Sequence, residues 1–337
     1  MLATTRSVMR YRPTASFFAL AFLLFLGSPS GPLAAQAKAT EGYVDAGNGV
    51  RLFYRLVGTG RDTLVIIHGG PGLSFDYFGH ELDPLASRGH ALLFYDQRGA
   101  GRSTLVHDSA GLQAQRFADD LEAVRRHFKL QSLNTLSHSW GPAVVALYAI
   151  RHPERRGRTI LLDGIPIRNS ELEEVFQQLD ASRDTASRRR LKEAEAAMRA
   201  NPEDPAVCRA YYAIWFHPFF IEPGGPASRR LEACSGSGAA LRNSVENVDR
   251  YTFPSLGDYD WRRAMAQIQA PTLVIHGDKD VIPVETAREW ATTMPNARLF
   301  VMRGYGHFPY MEAPEPFFTA VDRFLNGRWP KGAEVVR

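Results

Sequence analysis

Ser137-His138-Ser139-Trp140-Gly141 is a stretch whose residue types and spacing suggest covalent chemistry. It lies between an apolar, strand-like run and an Ala/Val-rich helical segment, the context a nucleophile elbow requires. There a sharp strand-to-helix turn exposes the serine hydroxyl at the end of a sheet, and the helix N-terminus favours negative charge beside it. The usual pattern has glycine at the first flanking position; this chain has Ser137, which is small enough for a crowded turn. His68-Gly69-Gly70-Pro71-Gly72 directly follows the run Leu64-Val65-Ile66-Ile67. Consecutive glycines let backbone N–H groups approach a substrate oxygen. Acyl transfer needs such donors, because its tetrahedral intermediate carries charge on oxygen. The expected donors are the N–H groups of Gly70 and of Trp140, the residue after the serine. His68 reads as structural, since the chain order offers a better base.

That base is His307, in Gly304-Tyr305-Gly306-His307-Phe308-Pro309. It falls late in the chain after a predicted strand, as the order Ser…Asp…His of one hydrolase architecture requires. A neutral imidazole there would accept the Ser139 proton and pass it to a leaving group. Two acids could orient the ring, Asp278 and Asp280 in Gly277-Asp278-Lys279-Asp280. Asp280 is preferred, because the residue immediately after the strand's turn usually points outward, and Asp278 then reads as a turn former.

Other chemistries find less support. Asp96-Gln97-Arg98-Gly99-Ala100-Gly101-Arg102-Ser103 follows a predicted strand but lacks the lysine of a phosphate loop, and Gly58-Thr59-Gly60 lacks a third glycine. No HExxH, CxxC or clustered-carboxylate motif suggests a metal. No cofactor is implied, because a triad suffices for acyl transfer.

These residues need a scaffold, and the pattern supplies one. Strands are predicted at 50–56, 63–68, 91–95, 133–137, 159–162, 271–276 and 298–302. Helices are predicted at 114–128, 141–151, near 284–292 and near 315–325. Alternating strands and helices with short connections argue for an α/β fold whose mostly parallel sheet is covered on both faces. The pattern breaks after Asp163-Gly164. Residues 171–200, rich in Glu, Arg, Ala and Leu, suggest helices; an aromatic cluster at 207–222 and a Gly/Pro/Ser-rich loop at 223–239 follow. The simplest organisation is one core, 38–167 plus 259–337, interrupted by a helical insertion at 168–258.

With 45% hydrophobic and 23% charged residues, the 337-residue chain can bury a sizeable core. Its formal charge of +4 is largely a property of residues 1–37. Arg6, Arg10 and Arg12 precede an apolar run, Phe17 to Leu26, and Ala35-Gln36-Ala37 follows, the pattern of a cleavable secretory signal peptide. The apolar run is short for a permanent membrane span. Cleavage would leave 37 basic against 36 acidic residues, which gives no electrostatic case for nucleic acid. Export to a periplasm or the medium would put Cys208 and Cys234 where a pair tends to be bridged. Two free buried thiols are the alternative, because sequence does not give their separation.

Taken together, the motifs at 68–72, 96–103, 138–141, 277–280 and 306–309 resemble those of the prolyl aminopeptidase branch of the α/β-hydrolases. The resemblance covers about 42–165 and 265–326 and hardly touches the insertion. It implies a helical cap over the active site, a triad of Ser139, Asp280 and His307, and release of N-terminal residues from short peptides. Relatives that do so hold a free ammonium ion with anionic groups. One such acid can follow the catalytic Asp, where this chain has Val281. Another ends a Trp-x-x-Trp-Glu pattern, where Tyr212-Ala213-Ile214-Trp215 is followed by Phe216. Trp215 and Phe216 are accordingly expected to line the substrate pocket. Glu171, Glu173 and Glu174 could replace the acid or could form a solvated helix face. An esterase of apolar esters is a second reading, and a hydrolase-fold binding protein without turnover a third.

Overall fold

The computed structural model describes residues 39–60, 62–181 and 183–337. The proposed signal peptide lies outside the described residues. Eight strands form one sheet: β1 (Ala39–Asp45), β2 (Arg51–Val57), β3 (Thr63–Ile67), β4 (Ala91–Tyr95), β5 (Leu133–His138), β6 (Arg156–Leu162), β7 (Thr272–Gly277) and β8 (Ala297–Met302), in the order β1-β2-β4-β3-β5-β6-β7-β8. The β1–β2 and β2–β4 pairs are antiparallel, and every pair from β4–β3 onward is parallel.

Side-chain alternation explains why the central strands read as unbroken apolar runs. Leu64 and Ile66 of β3 enter one core cluster, while Val65 and Ile67 enter the other. The same division holds in β4, with Leu92 and Phe94 on one side and Leu93 and Tyr95 on the other. Both faces must therefore be covered. Helices α1 (Ala114–His127) and α2 (Gly141–Arg151) bury Phe117, Leu121, Val144 and Tyr148 against the first face. The long helix near the C-terminus, Pro314–Leu325, places Phe317, Val321 and Phe324 against the second. Each fully buried Leu, Ile or Phe contributes roughly 1.5–3 kcal/mol.

Between β6 and β7 the chain is helical: α3 (Asn169–Ala181), α4 (Thr185–Ala200) and α5 (Pro205–Trp215), followed by short turns of helix. Asp184 and Asp204 accept backbone N–H groups at the N-termini of α4 and α5, which fixes where the chain turns. The segment leaves and rejoins the core side by side, through an isolated bridge between Arg168 and Asp260 flanked by Asn169 N–H to Tyr259 O at 2.8 Å. The expected strand and helix positions in the core recur within a few residues. β1 was not among them: five of its seven positions are exposed, so its side chains leave little apolar pattern.

Candidate active site

Ser139 follows the last residue of β5 and adopts φ = +59°, a left-handed conformation rare for a residue with a Cβ. Such a position costs about 1–3 kcal/mol and persists only where its surroundings fix it. Here the Ser139 N–H donates to Leu162 O at 3.1 Å, and its carbonyl accepts the Ile165 N–H at 2.9 Å. The turn is crowded: a Cβ on Gly141 would lie 2.8 Å from Ile67 O and 3.0 Å from Ser137 Cβ. Ser137 fits in place of glycine because it is small and its hydroxyl donates to Ile160 O at 3.2 Å.

The glycine loop after β3 lies against this turn. A Cβ on Gly69 would stand 3.0 Å from Ser139 Cβ, so the backbone approaches the serine as closely as a side chain would. Gly70 takes φ = +118° and precedes a cis bond to Pro71. Among the described residues the N–H groups of Gly70 and Trp140 make no hydrogen bond within the protein, which leaves both free to donate. His68 is fully buried, and burial pushes its pKa down to about 4. It is therefore neutral, accepting the Gln97 N–H at Nε2 and donating from Nδ1 to Gly69 O. The Gln97 side chain binds His68 O and accepts the indole N–H of Trp140. Asp96 accepts the N–H groups of Phe75 and Arg102. The stretch 96–103 thus braces the glycine loop from beneath.

His307 is 1% exposed, and its Nδ1 lies 2.7 Å from Asp280 Oδ2. That contact assigns the proton to Nδ1 and leaves Nε2 as an acceptor. Asp278 instead accepts the Gly304 N–H at 2.6 Å, on the exposed side of the turn. Ser139 and His307 line one cavity of about 270 Å³. No hydrogen bond joins them in this structure; such contacts often tighten only when substrate docks. A buried relay lies alongside. The Tyr77 hydroxyl accepts the Gly69 N–H and bonds His138 Nδ1, and His138 Nε2 donates to the His307 carbonyl at 2.8 Å. Burial, reinforced by neighbouring His307, lowers the His138 pKa well below the usual value, so that ring is neutral. Tyr77 had no sequence signal. His138 lay inside the serine motif but had no role assigned to it.

Asp163, at the end of β6 with φ = +43°, accepts the Gly277 N–H at 2.8 Å. Its carboxyl, His276 and Asp280 bring potential ligand atoms within 4.8 Å of one another. Asp280 is already committed to His307 and Asp163 to Gly277.

The insertion supplies most of the cavity's far wall. Trp215 and Phe216 line it, as do Tyr212, Leu172, Phe253 and, from the core, Val281. Glu171, Glu173 and Glu174 do not: Glu171 pairs with Arg168, Glu173 bonds Asn169, and Glu174 is exposed. The acid that does reach the cavity is Asp249, which sequence reasoning missed. Its signal, one Asp in a polar stretch, resembles an ordinary surface residue. The Asp249 N–H donates to Ser244 O, but its carboxylate makes no hydrogen bond or ion pair among the described residues and feels only the longer-range field of Arg199. A Cβ on Gly72 would lie 3.6 Å from its Oδ1, so the carboxylate stands against the glycine loop. Protein surrounds it and pushes its pKa up to about 7, while its exposed surface faces this cavity and a second one of about 790 Å³. Cys208 of α5 is disulfide-bonded to Cys234, with Cα atoms 5.9 Å apart.

Residues 62–200 match the family profile of the alpha/beta hydrolase fold. The proline iminopeptidase of Lactobacillus delbrueckii subsp. lactis is 28% identical over 286 residues, 82% of this chain and 94% of that protein. The crystal structure of the proline iminopeptidase of Mycobacterium smegmatis, 22% identical, aligns with a TM-score of 0.67 over 86% of this chain and 98% of its own. An esterase from Exiguobacterium antarcticum, 19% identical, aligns with a TM-score of 0.64 over 85% of this chain and 100% of its own. The chain has the α/β-hydrolase fold and is similar over most of its length to proline iminopeptidases.

Proposed function

We propose that this chain is a serine hydrolase acting through an acyl-enzyme on short peptides or amino-acid amides with a free N-terminus. The observation that carries the substrate reading is Asp249, a carboxylate without a hydrogen-bond or ion-pair partner among the described residues, in a largely apolar wall of the cavity that Ser139 also lines. A desolvated ammonium ion is costly to hold without an anion, and Asp249 supplies one. The substrate amine would pair with Asp249 while its carbonyl faces Ser139.

In this reading Ser139 Oγ attacks the carbonyl carbon as His307 Nε2 takes its proton. The resulting imidazolium is stabilised through Nδ1–H by Asp280. The oxyanion is held by the Gly70 and Trp140 N–H groups, which make no hydrogen bond among the described residues and so are free to donate. Collapse of the intermediate expels the amine, which takes the proton from His307. Water, activated by the same ring, then releases the acyl group.

The second reading, an esterase of apolar esters, is favoured by Phe216 and Val281, which line the cavity where an acid would serve an aminopeptidase. Proline arylamide and short p-nitrophenyl esters, assayed side by side, separate the two. Arylamide turnover is expected, and ester turnover alone would exclude the peptidase reading. Fluorophosphonate labelling that disappears in S139A tests the nucleophile, and labelling that persists would overturn it. We also propose export with cleavage after Ala37, supported by the composition of residues 1–37 and by the Cys208–Cys234 bond. A mature protein beginning at Lys38 is the expected result, and an intact N-terminus on the secreted protein would refute it.

A further inference from the structure

Two acids, Asp163 at the end of β6 and Asp280 after β7, stand together beneath His307, and both side chains are fully buried. Among the described residues neither meets Lys or Arg; their only charged partners are histidines. His276 cannot neutralise them. Burial lowers its pKa and keeps the ring neutral; with Nε2–H donating to Ile282 O at 2.8 Å, the Nδ1 lone pair faces Asp163 Oδ1 at 3.5 Å. Most oxygens in the cluster have a donor. Asp280 Oδ1 accepts the Ile282 N–H, Asp280 Oδ2 the His307 Nδ1–H, and Asp163 Oδ1 the Gly277 N–H. Asp163 Oδ2 has none. The two carboxyl groups bring oxygens within 4.8 Å of each other; desolvated carboxylates so close disfavour ionising together, and the partnerless oxygen gains a bond if it carries a proton toward the neighbouring carboxylate.

We propose that Asp163 is a positioning residue that keeps its proton and donates it from Oδ2 to Asp280, fixing the carboxylate that orients His307. This rests on the triad reading above. The groups around Asp163 fit the assignment: burial and then the charge of Asp280 raise its pKa well above the carboxylate range. Glu312 adds a longer-range field in the same direction, and the Gly277 N–H opposes it only in part; Tyr77 and Tyr310, whose own pKa values burial raises, are neutral and contribute no charge. The hydrogen bond holds the Asp280 carboxylate in the orientation that accepts the His307 Nδ1–H.

The test is the rate of Ser139 phosphonylation by a fluorophosphonate across pH, for the wild type, D163N and D163A. In D163N an amide oxygen still accepts from Gly277 and an N–H still donates to Asp280. This conservative variant should restore most of the neutral-pH rate, and it should lack the alkaline decline that ionisation of Asp163 causes in the wild type. D163A should be about tenfold slower at neutral pH. A D163N protein as slow as D163A, or one keeping the alkaline decline, would overturn the proposal. So would a D163A profile superimposable on the wild type. If D163A fails to fold, the alkaline limb of D163N decides alone. Wild-type labelling that fails, or that survives S139A, would instead overturn the triad reading.

Discussion

Replacing Asp249 by Asn leaves the shape of the cavity and removes its one unpaired charge. For an ammonium ion about 4 Å away, the lost attraction lies between about 1 kcal/mol in water and about 4 kcal/mol near a protein surface. Asp249 keeps surface open to two cavities, so the lower half of that range applies, about 2 kcal/mol or roughly 30-fold in kcat/KM. The loss should appear for proline arylamide and be absent for a p-nitrophenyl ester that carries no amine. Only ionised Asp249 attracts an ammonium ion, so arylamide kcat/KM in the wild type should rise with pH through about 7. In D249N that rise should vanish. Stability should follow the opposite course. Folded Asp249 keeps a proton that the unfolded chain has lost above about 4, so wild-type stability should fall as pH rises from there to about 7, a slope D249N lacks. Equal losses on amide and ester, or an unchanged arylamide profile, would refute the assignment of Asp249 to the substrate amine.

Other perturbations test the rest of the site. D280N should lose roughly 10³–10⁴ in kcat, whereas D278N should leave kcat nearly unchanged because its partner is the Gly304 N–H; equal losses would overturn the distinction. G72A would place a Cβ 2.2 Å from Ser244 Oγ at φ = +92°, whereas G79A meets nothing within 4 Å at φ = +56°. Turnover and thermal stability should fall in G72A well beyond G79A, and equal effects would show that backbone strain alone is responsible. Opening the disulfide in C208S/C234S frees a loop with a sequence separation of 26 and should cost roughly 3–4 kcal/mol in urea unfolding. No change in the midpoint under reducing conditions would contradict that bond.

The core was legible because burial on both faces leaves unbroken apolar runs in β3 and β4, and because turn-forming glycines mark the ends of strands. The approach of Ser139, His307 and Asp280 to one another followed from chain order on a parallel sheet, where strand ends converge at one edge. Asp249 and Tyr77 were not legible. Each owes its position to where an irregular segment folds back, and neither sits in a motif or a periodic pattern. Asp163 was visible only as the end of a strand; its proximity to Asp280 depends on β6 and β7 being neighbours, a property of sheet order rather than of local sequence.

The bracing of the glycine loop by Asp96, Gln97 and Arg102 has a consequence for redesign. Those residues hold each other and the indole of Trp140, and none of them lines the cavity. Reactivity and selectivity are therefore largely separable modules. The wall at Tyr212 and Phe216 can be rewritten to admit a different acyl group while the strained serine and its braced loop stay as they are, whereas Phe253 packs on the Trp140 indole and belongs to the braced side. A library confined to that wall should change which substrates are cleaved far more than how fast Ser139 reacts with a small phosphonate.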